Sequence, residues 1–243
     1  MSKEFFSKEE FQERWKKVRN SMKKFEIELL MVISPTNINY LIGTPAKGYQ
    51  EFEVLLFSIN SDPSVMFTRR SELEMMKDYS LADEVFGWGG QESEDPIDAL
   101  KKLMLEKKLL NKRIGIEIPH YYLHPLEYKK IIDMLGDSIV HDSTNLIGDI
   151  KLIKSETELD YVRKASDIAD KSFKAGLNKI TSGVTEREVS AAIHNEMFIN
   201  GGDIPSSPMN FLTGHRSMYA HGEPTDRKLQ IGDFMHLQFG SHY

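Results

Sequence analysis

Between residues 27 and 140, short apolar runs alternate with stretches whose apolar residues recur every three or four positions. That alternation constrains the fold more than any other feature of the chain. Ile27–Ile33 is nearly continuous apolar sequence closed by Ser34 and Pro35, which predicts a buried strand. Phe52–Ile59, Val65–Phe67, Arg113–Ile118 and Ile139–Val140 read as further strands. Helical spacing falls between them at Leu73–Tyr79, from Ile97 through Leu100 to Met104, and at Leu126–Leu135. Ser93 is a candidate cap for the second of these helices, and Pro96 suits its first turn. Ahead of them all, Ser7 and Glu10 form a capping box, and Phe6 and Phe11 have the spacing of a hydrophobic staple. Phe11, Trp15, Val18, Met22 and Phe25 then make one apolar stripe. Strands alternating with helices predict an α/β layer architecture with a largely parallel or mixed sheet, and residues 1–148 read as one domain.

The pattern changes near Lys151. Ser155 and Glu158 form a second capping box, followed by a long amphipathic helix through Leu159, Val162, Ile168, Phe173 and Leu177. Ser182 and Gly183 break it. Thr185 and Glu188 open another helix through Val189, Ile193 and Met197, which Gly201 and Gly202 end. From Pro205 onward the text is strand and loop, rich in His, Gly and Pro, with a last strand expected over Asp233–Phe239. Residues 149–243 therefore read as a second domain.

Composition removes several function classes. With no cysteine there is no thiol nucleophile, thiolate zinc site, iron–sulfur cluster or disulfide framework. With 31 Lys+Arg against 37 Asp+Glu, the formal charge is −6, opposite to the basic balance of a nucleic-acid-binding domain. No run approaches the ~20 apolar residues of a membrane span. The charged start, Lys3-Glu4 then Lys8-Glu9-Glu10, has no apolar signal region, so a cytoplasmic location is expected.

Gly87, Gly89 and Gly90 fit neither nucleotide-binding spacing and read as a turn, and no His-Glu-x-x-His pair exists. His194 reads as an ordinary helix histidine, and His120 and His124 as loop residues. The chemically dense stretch is Gly214–Gly240, containing His215, His221, Arg227, Asp233, His236 and Gln238. His221 lies among glycine- and proline-punctuated loops and is the best-placed candidate for proton exchange near neutral pH.

Three pieces in this order resemble the pita-bread family of prolidases, aminopeptidases P and creatinases. They are Ser34–Gly43, read as strand and turn, then Ile153–Leu159, and then Ala220-His221 through Gly232-Asp233. The resemblance implies an α/β protein: an N-terminal mixed-sheet creatinase/prolidase-type domain followed by an incomplete pita-bread α+β domain. It also implies hydrolysis of a C–N bond in a small amidine, guanidino or peptide-like substrate, with His221 as the catalytic proton shuttle. Gln238, His236, Phe211, Arg227 and Tyr49 are the implied substrate-binding residues. Tyr49 lies in the loop Thr44–Phe52, with Lys47 and Gln50, which in creatinase-like dimers reaches the partner's active site.

In the metallopeptidase members an aspartate in an Asp-x-Gly pattern is the first metal ligand, and this chain has Gln238-Phe239-Gly240 there. A neutral amide is a poor substitute for a carboxylate at a divalent cation. The resemblance to creatinase therefore implies a homodimer with no metal and no cofactor. The alternatives are an Xaa-Pro dipeptidase or aminopeptidase with two divalent ions such as manganese or cobalt, and a non-catalytic binding module. The resemblance implies that the family's remaining ligands lie beyond Tyr243, so the chain is expected to be a fragment, the product of a truncated or split gene, or a chain completed by a second one, with residues 149–243 marginal, swapped or partner-completed.

Overall fold

In the computed structural model, α1 (Lys8–Lys24) begins as its sequence requires. Ser7 Oγ accepts a hydrogen bond from Glu10 N at 3.2 Å, and the Phe6 and Phe11 rings meet edge-on at 6.2 Å. The structure describes residues 6–44, 50–60, 64–90, 93–204 and 207–243. The chain divides into two units, Met1–Ile153 and Lys154–Tyr243.

In the first unit α1 is followed by β1 (Leu29–Val32), α2 (Pro35–Ile42), β2 (Val54–Ser58), β3 (Val65–Arg69), α3 (Leu73–Tyr79) and β4 (Glu84–Trp88). Then come α4 (Pro96–Glu106), β5 (Ile114–Ile116), α5 (Pro125–Leu135), β6 (Ile139–Asp142) and α6 (Leu146–Lys151). Among the described residues, six strands form one sheet in the order β4-β3-β2-β1-β5-β6. The β1–β2 and β2–β3 pairs are antiparallel and the other three are parallel, so the sheet is mixed as the alternation predicts. All four residues of β1 are buried because both faces of the sheet are covered. Leu29 and Met31 join one core with Leu100, Met104 and Ile131 of α4 and α5. Leu30 and Val32 join the other core with Val18, Leu41, Met76 and Ile147 from α1, α2, α3 and α6.

One buried carboxylate ties the carboxyl ends of β1 and β5 together. Glu117 Oε2 accepts from Ile33 N and Ser34 N, each at 2.9 Å, and Oε1 accepts from Asn37 Nδ2 at 2.9 Å. Asn37 Oδ1 in turn accepts from Lys151 Nζ at 3.0 Å. Burial pushes the Glu117 carboxyl up to about 7, against the opposing pull of these donors.

Four local expectations need correction. Ser34–Gly43 is not strand and turn but helix α2, because Pro35 at its first position presets the helical φ and Gly43 ends it at φ +74°. Glycines 87–90 are not simply a turn: Gly87 lies inside β4, where a Cβ would stand 3.0 Å from Arg70 Cα. The cap of α4 is Asp95, which accepts from Ile97 N and Asp98 N, rather than Ser93. His124 does more than occupy a loop, since its Nδ1 accepts from Leu126 N at 3.2 Å and caps α5.

The second unit comprises α7 (Glu156–Lys179), α8 (Glu186–Ile199), β7 (Asn210–Thr213) and β8 (Met235–Gln238). Both helices begin with the capping boxes read from the sequence, at Ser155/Glu158 and Thr185/Glu188. They pack closely at Gly176, where a Cβ would meet Ile193 Cγ1 at 2.6 Å. The strands pair antiparallel, and Phe211 and Leu229 share a core with Val189, Ile193 and Met209. Ile199, Met218, Ile231 and Phe234 remain exposed. Among the described residues no helix is long and apolar enough to cross a membrane.

Candidate active site

The β7–β8 pair sets Asn210 opposite Gln238 and Leu212 opposite His236. After β7 the chain turns at Gly214, where φ is +58° and a Cβ would lie 2.3 Å from Arg227 Nη2, so a side chain is excluded on both grounds. It then returns along β7 as the loop that carries His221.

That loop is held at several points. Gly222 N donates to Asn210 Oδ1 at 3.0 Å, and Phe211 N donates to Gly222 O at 3.2 Å. Arg216 Nη2 donates to Glu223 O at 2.9 Å. Behind the loop sits Glu186, fully buried in the first turn of α8. Its Oε1 accepts from Thr213 N at 2.9 Å and Thr213 Oγ1 at 2.7 Å. Its Oε2 accepts from Thr225 N at 2.9 Å, from Thr225 Oγ1 at 2.7 Å and from the Arg216 guanidinium. Burial pushes the Glu186 carboxyl up, but the hydrogen bonds from Thr213, Thr225 and Arg216 outweigh it and hold the group below its ordinary value.

The candidate residues among those described fall into three groups. His221 and Gln238 are exposed, and Asn210 bridges Gln238 to Gly222, the residue after His221: its Nδ2 donates to Gln238 Oε1 at 3.3 Å and its Oδ1 accepts from Gly222 N. His236 is half-buried, with Nδ1 3.3 Å from Tyr219 O. Phe211 and Arg227 are placed otherwise than as substrate-binding residues. Phe211 is fully buried in the unit's core, because position 211 faces inward in β7. The Arg227 guanidinium forms a bidentate pair with Asp233, at 2.6 and 2.8 Å, and also donates to Thr213 Oγ1 at 2.6 Å. Asp233 holds the Arg227 pKa above its usual value, and Arg227 holds the Asp233 carboxyl below its own. Tyr49, like Lys47, lies outside the described residues. Gln50 lies on a cavity of about 730 Å³ in the first unit, with Phe52, Tyr121, Tyr122 and His124.

Sequence reasoning missed Glu186 and Asn210. Glu186 carried a usable signal: positions 186, 189, 193 and 197 share one helical face, and the other three are apolar. Asn210 carried none, since its partners Gly222 and Gln238 are set by strand pairing and loop closure.

Residues 14–153 match the Creatinase/Prolidase N-terminal domain, more than half of the chain. The chain belongs to the creatinase/prolidase family. Residues 160–243 of this family member match Metallopeptidase family M24. The Xaa-Pro dipeptidase of Pyrococcus horikoshii is 29% identical over 244 residues, covering 95% of this chain and 60% of the relative. That of Pyrococcus furiosus is 27% identical over 233 residues, covering 95% and 61%. Among solved structures, the prolidase from Pyrococcus horikoshii superposes with a TM-score of 0.76 at 25% identity, covering 94% of this chain and 60% of that one. The recombinant prolidase from Thermococcus sibiricus, at 21% identity, shows the shared fold with a TM-score of 0.79 over 96% of this chain and 62% of that one. The chain thus spans about 60% of the length of the relatives it matches.

These matches correct the expectation of a protein with no metal and no cofactor: the second unit falls in a metallopeptidase family, and the matched relatives are Xaa-Pro dipeptidases. Position 238 fits a divalent cation poorly, because a neutral amide brings none of the charge that a carboxylate would supply there. Among the described residues, no group of three or more His, Asp or Glu side chains is arranged to hold a metal.

Proposed function

We propose that this chain is part of an Xaa-Pro dipeptidase-type hydrolase that cleaves the C–N bond of a small peptide-like substrate and works as a homodimer. The observation that carries the reading is the 29% identity to an Xaa-Pro dipeptidase across 95% of the chain, through both units. His221 is the residue to move the proton: it is exposed, and its loop is fixed to Asn210 and Phe211. An imidazole there takes a proton from attacking water and returns it to the leaving nitrogen. Gln238, on the neighbouring strand, orients the substrate. Arg227, Asp233 and Glu186 keep the loop and the β7–β8 pair in register.

The test, on the whole protein to which this chain belongs, is hydrolysis of a panel of Xaa-Pro dipeptides and of creatine, each with and without added manganese or cobalt. Release of proline, lost in His221→Ala, supports the reading. Turnover of creatine alone, or of neither substrate class, overturns it. Light scattering checks the assembly, and a monomer under assay conditions removes the dimer from the proposal.

A further inference from the structure

The orientation of the Gln238 amide follows from one donor whose identity is not open to choice. The oxygen and nitrogen of a side-chain amide look alike in shape, so their assignment has to come from the hydrogen-bond network. A backbone N–H can only donate. Gly222 N points at Asn210 at 3.0 Å, so the Asn210 atom facing it is the oxygen. The other end of the Asn210 amide is then NH₂, and it lies 3.3 Å from Gln238. The Gln238 atom facing that NH₂ must be Oε1. Its Nε2, with two N–H groups, is turned away from Asn210 and has no partner among the described residues, on an exposed position of β8.

Asn210 thus converts the fixed polarity of a backbone N–H beside His221 into a fixed polarity at position 238. We propose that Gln238 Nε2 is the site's donor for a substrate carboxylate, and that Asn210 is the positioning residue that holds it in that sense. The position offers hydrogen to an anion where a metal ligand would offer a lone pair. The ligand class is a small molecule with a free carboxylate beside the scissile bond. Identifying that ligand with a dipeptide rests on the reading above; the amide orientation does not.

Two isosteric variants test this. In Asn210→Asp, one carboxylate oxygen still accepts from Gly222 N, but the other can only accept, so Gln238 must swing round and present Oε1. In Gln238→Glu the donors are lost outright at an exposed position, which keeps the test open if the first variant folds poorly. The measurement is nuclear magnetic resonance of the ¹⁵N-labelled full chain, following the Gln238 side-chain NH₂ signals. These are assigned by their absence in Gln238→Glu. The probes are glycyl-proline, glycyl-prolinamide and manganese ion.

The expected result is that glycyl-proline shifts the Gln238 signals and glycyl-prolinamide does not. Affinity for glycyl-proline should fall roughly tenfold or more in both variants, as expected for losing a charge-assisted bond. Equal response to the two peptides, no response to either, or selective broadening of Gln238 by manganese overturns the proposal. If the shifts appear as expected while glycyl-proline is never cleaved, the carboxylate site stands and the hydrolase reading fails.

Discussion

Replacing Glu186 by alanine should be among the most damaging single substitutions in the second unit. The side chain is fully buried and its two oxygens accept bonds from Thr213 N and Oγ1, Thr225 N and Oγ1, and Arg216. Removing it leaves the buried Thr213 N–H without an acceptor, a loss of about 1–3 kcal/mol. It also takes the countercharge from the Arg216 guanidinium, whose side chain is only 18% exposed and which keeps only neutral partners in Glu223 O and Thr225 Oγ1. Breaking a buried ion pair by removing one partner costs about 3–5 kcal/mol. The two effects overlap, so the expected total is about 3–5 kcal/mol, a large share of the 5–15 kcal/mol typical of a whole domain. Glu186→Gln should cost less, because one oxygen is kept and the threonine hydroxyls can reorient.

Urea unfolding followed by far-ultraviolet circular dichroism measures the loss, with amide hydrogen exchange at residues 210–225 locating it. The pH dependence adds a second check. The carboxyl is held below its ordinary value in the folded state, so its contribution is present above the unfolded-state value of 4.5 and fades as pH falls through the folded one. The difference between wild type and variant should therefore shrink in acid. A loss under about 1 kcal/mol at pH 7, within the range of ordinary single substitutions, would refute this account of the network.

Glu53 is 3% exposed with no well-formed hydrogen bond to either carboxylate oxygen among the described residues, and burial followed by the Glu72 charge outweighs the opposing pull of the Thr68 hydroxyl and pushes it up to about 7. The folded state therefore binds the extra proton, and stability falls as pH rises from 4.5 to about 7. Glu53→Gln should raise stability at pH 8 by at most about 3 kcal/mol and leave it nearly unchanged at pH 4, as paired urea melts would show. Gly176→Ala pushes a methyl to 2.6 Å from Ile193 Cγ1 and should cost about 1–3 kcal/mol, with partial recovery in the double variant Gly176→Ala/Ile193→Ala. A double-mutant cycle showing no coupling would rule out that contact as the cause. His221→Ala removes an exposed side chain and should alter stability by less than about 0.5 kcal/mol while abolishing turnover, so a destabilised variant would argue for a structural histidine.

Local chemistry was legible in the sequence wherever it was self-contained. Ser7, Ser155 and Thr185 marked three helix starts because a cap needs only its own first turn. The apolar run at residues 27–33 announced a strand buried on both faces. Strand β4 was hidden because its glycine is demanded by Arg70, a contact made by folding. Helix α2 was hidden because a proline that closes one element can equally open the next. In the site, His221 and Gln238 stood out by residue type, whereas the bridge from Gln238 through Asn210 to Gly222, beside His221, depends on register. The same limit misplaced Phe211, whose inward orientation is decided by which face of β7 meets α8.

The strand order of the first unit bears on how the protein emerges from the ribosome. Strands β1 to β4 are neighbours in sequence and can pair as they appear, but β1 lies between β2 and β5 in the finished sheet. After Trp88 completes β4, 116 − 88 = 28 more residues must be made before Ile116 completes β5. At synthesis rates of about 5–20 residues per second, that is roughly 1–6 s. During that interval the Leu-Leu-Met-Val edge of the nascent sheet has no partner. During this stretch of translation the chain exposes a strand edge that the finished sheet covers.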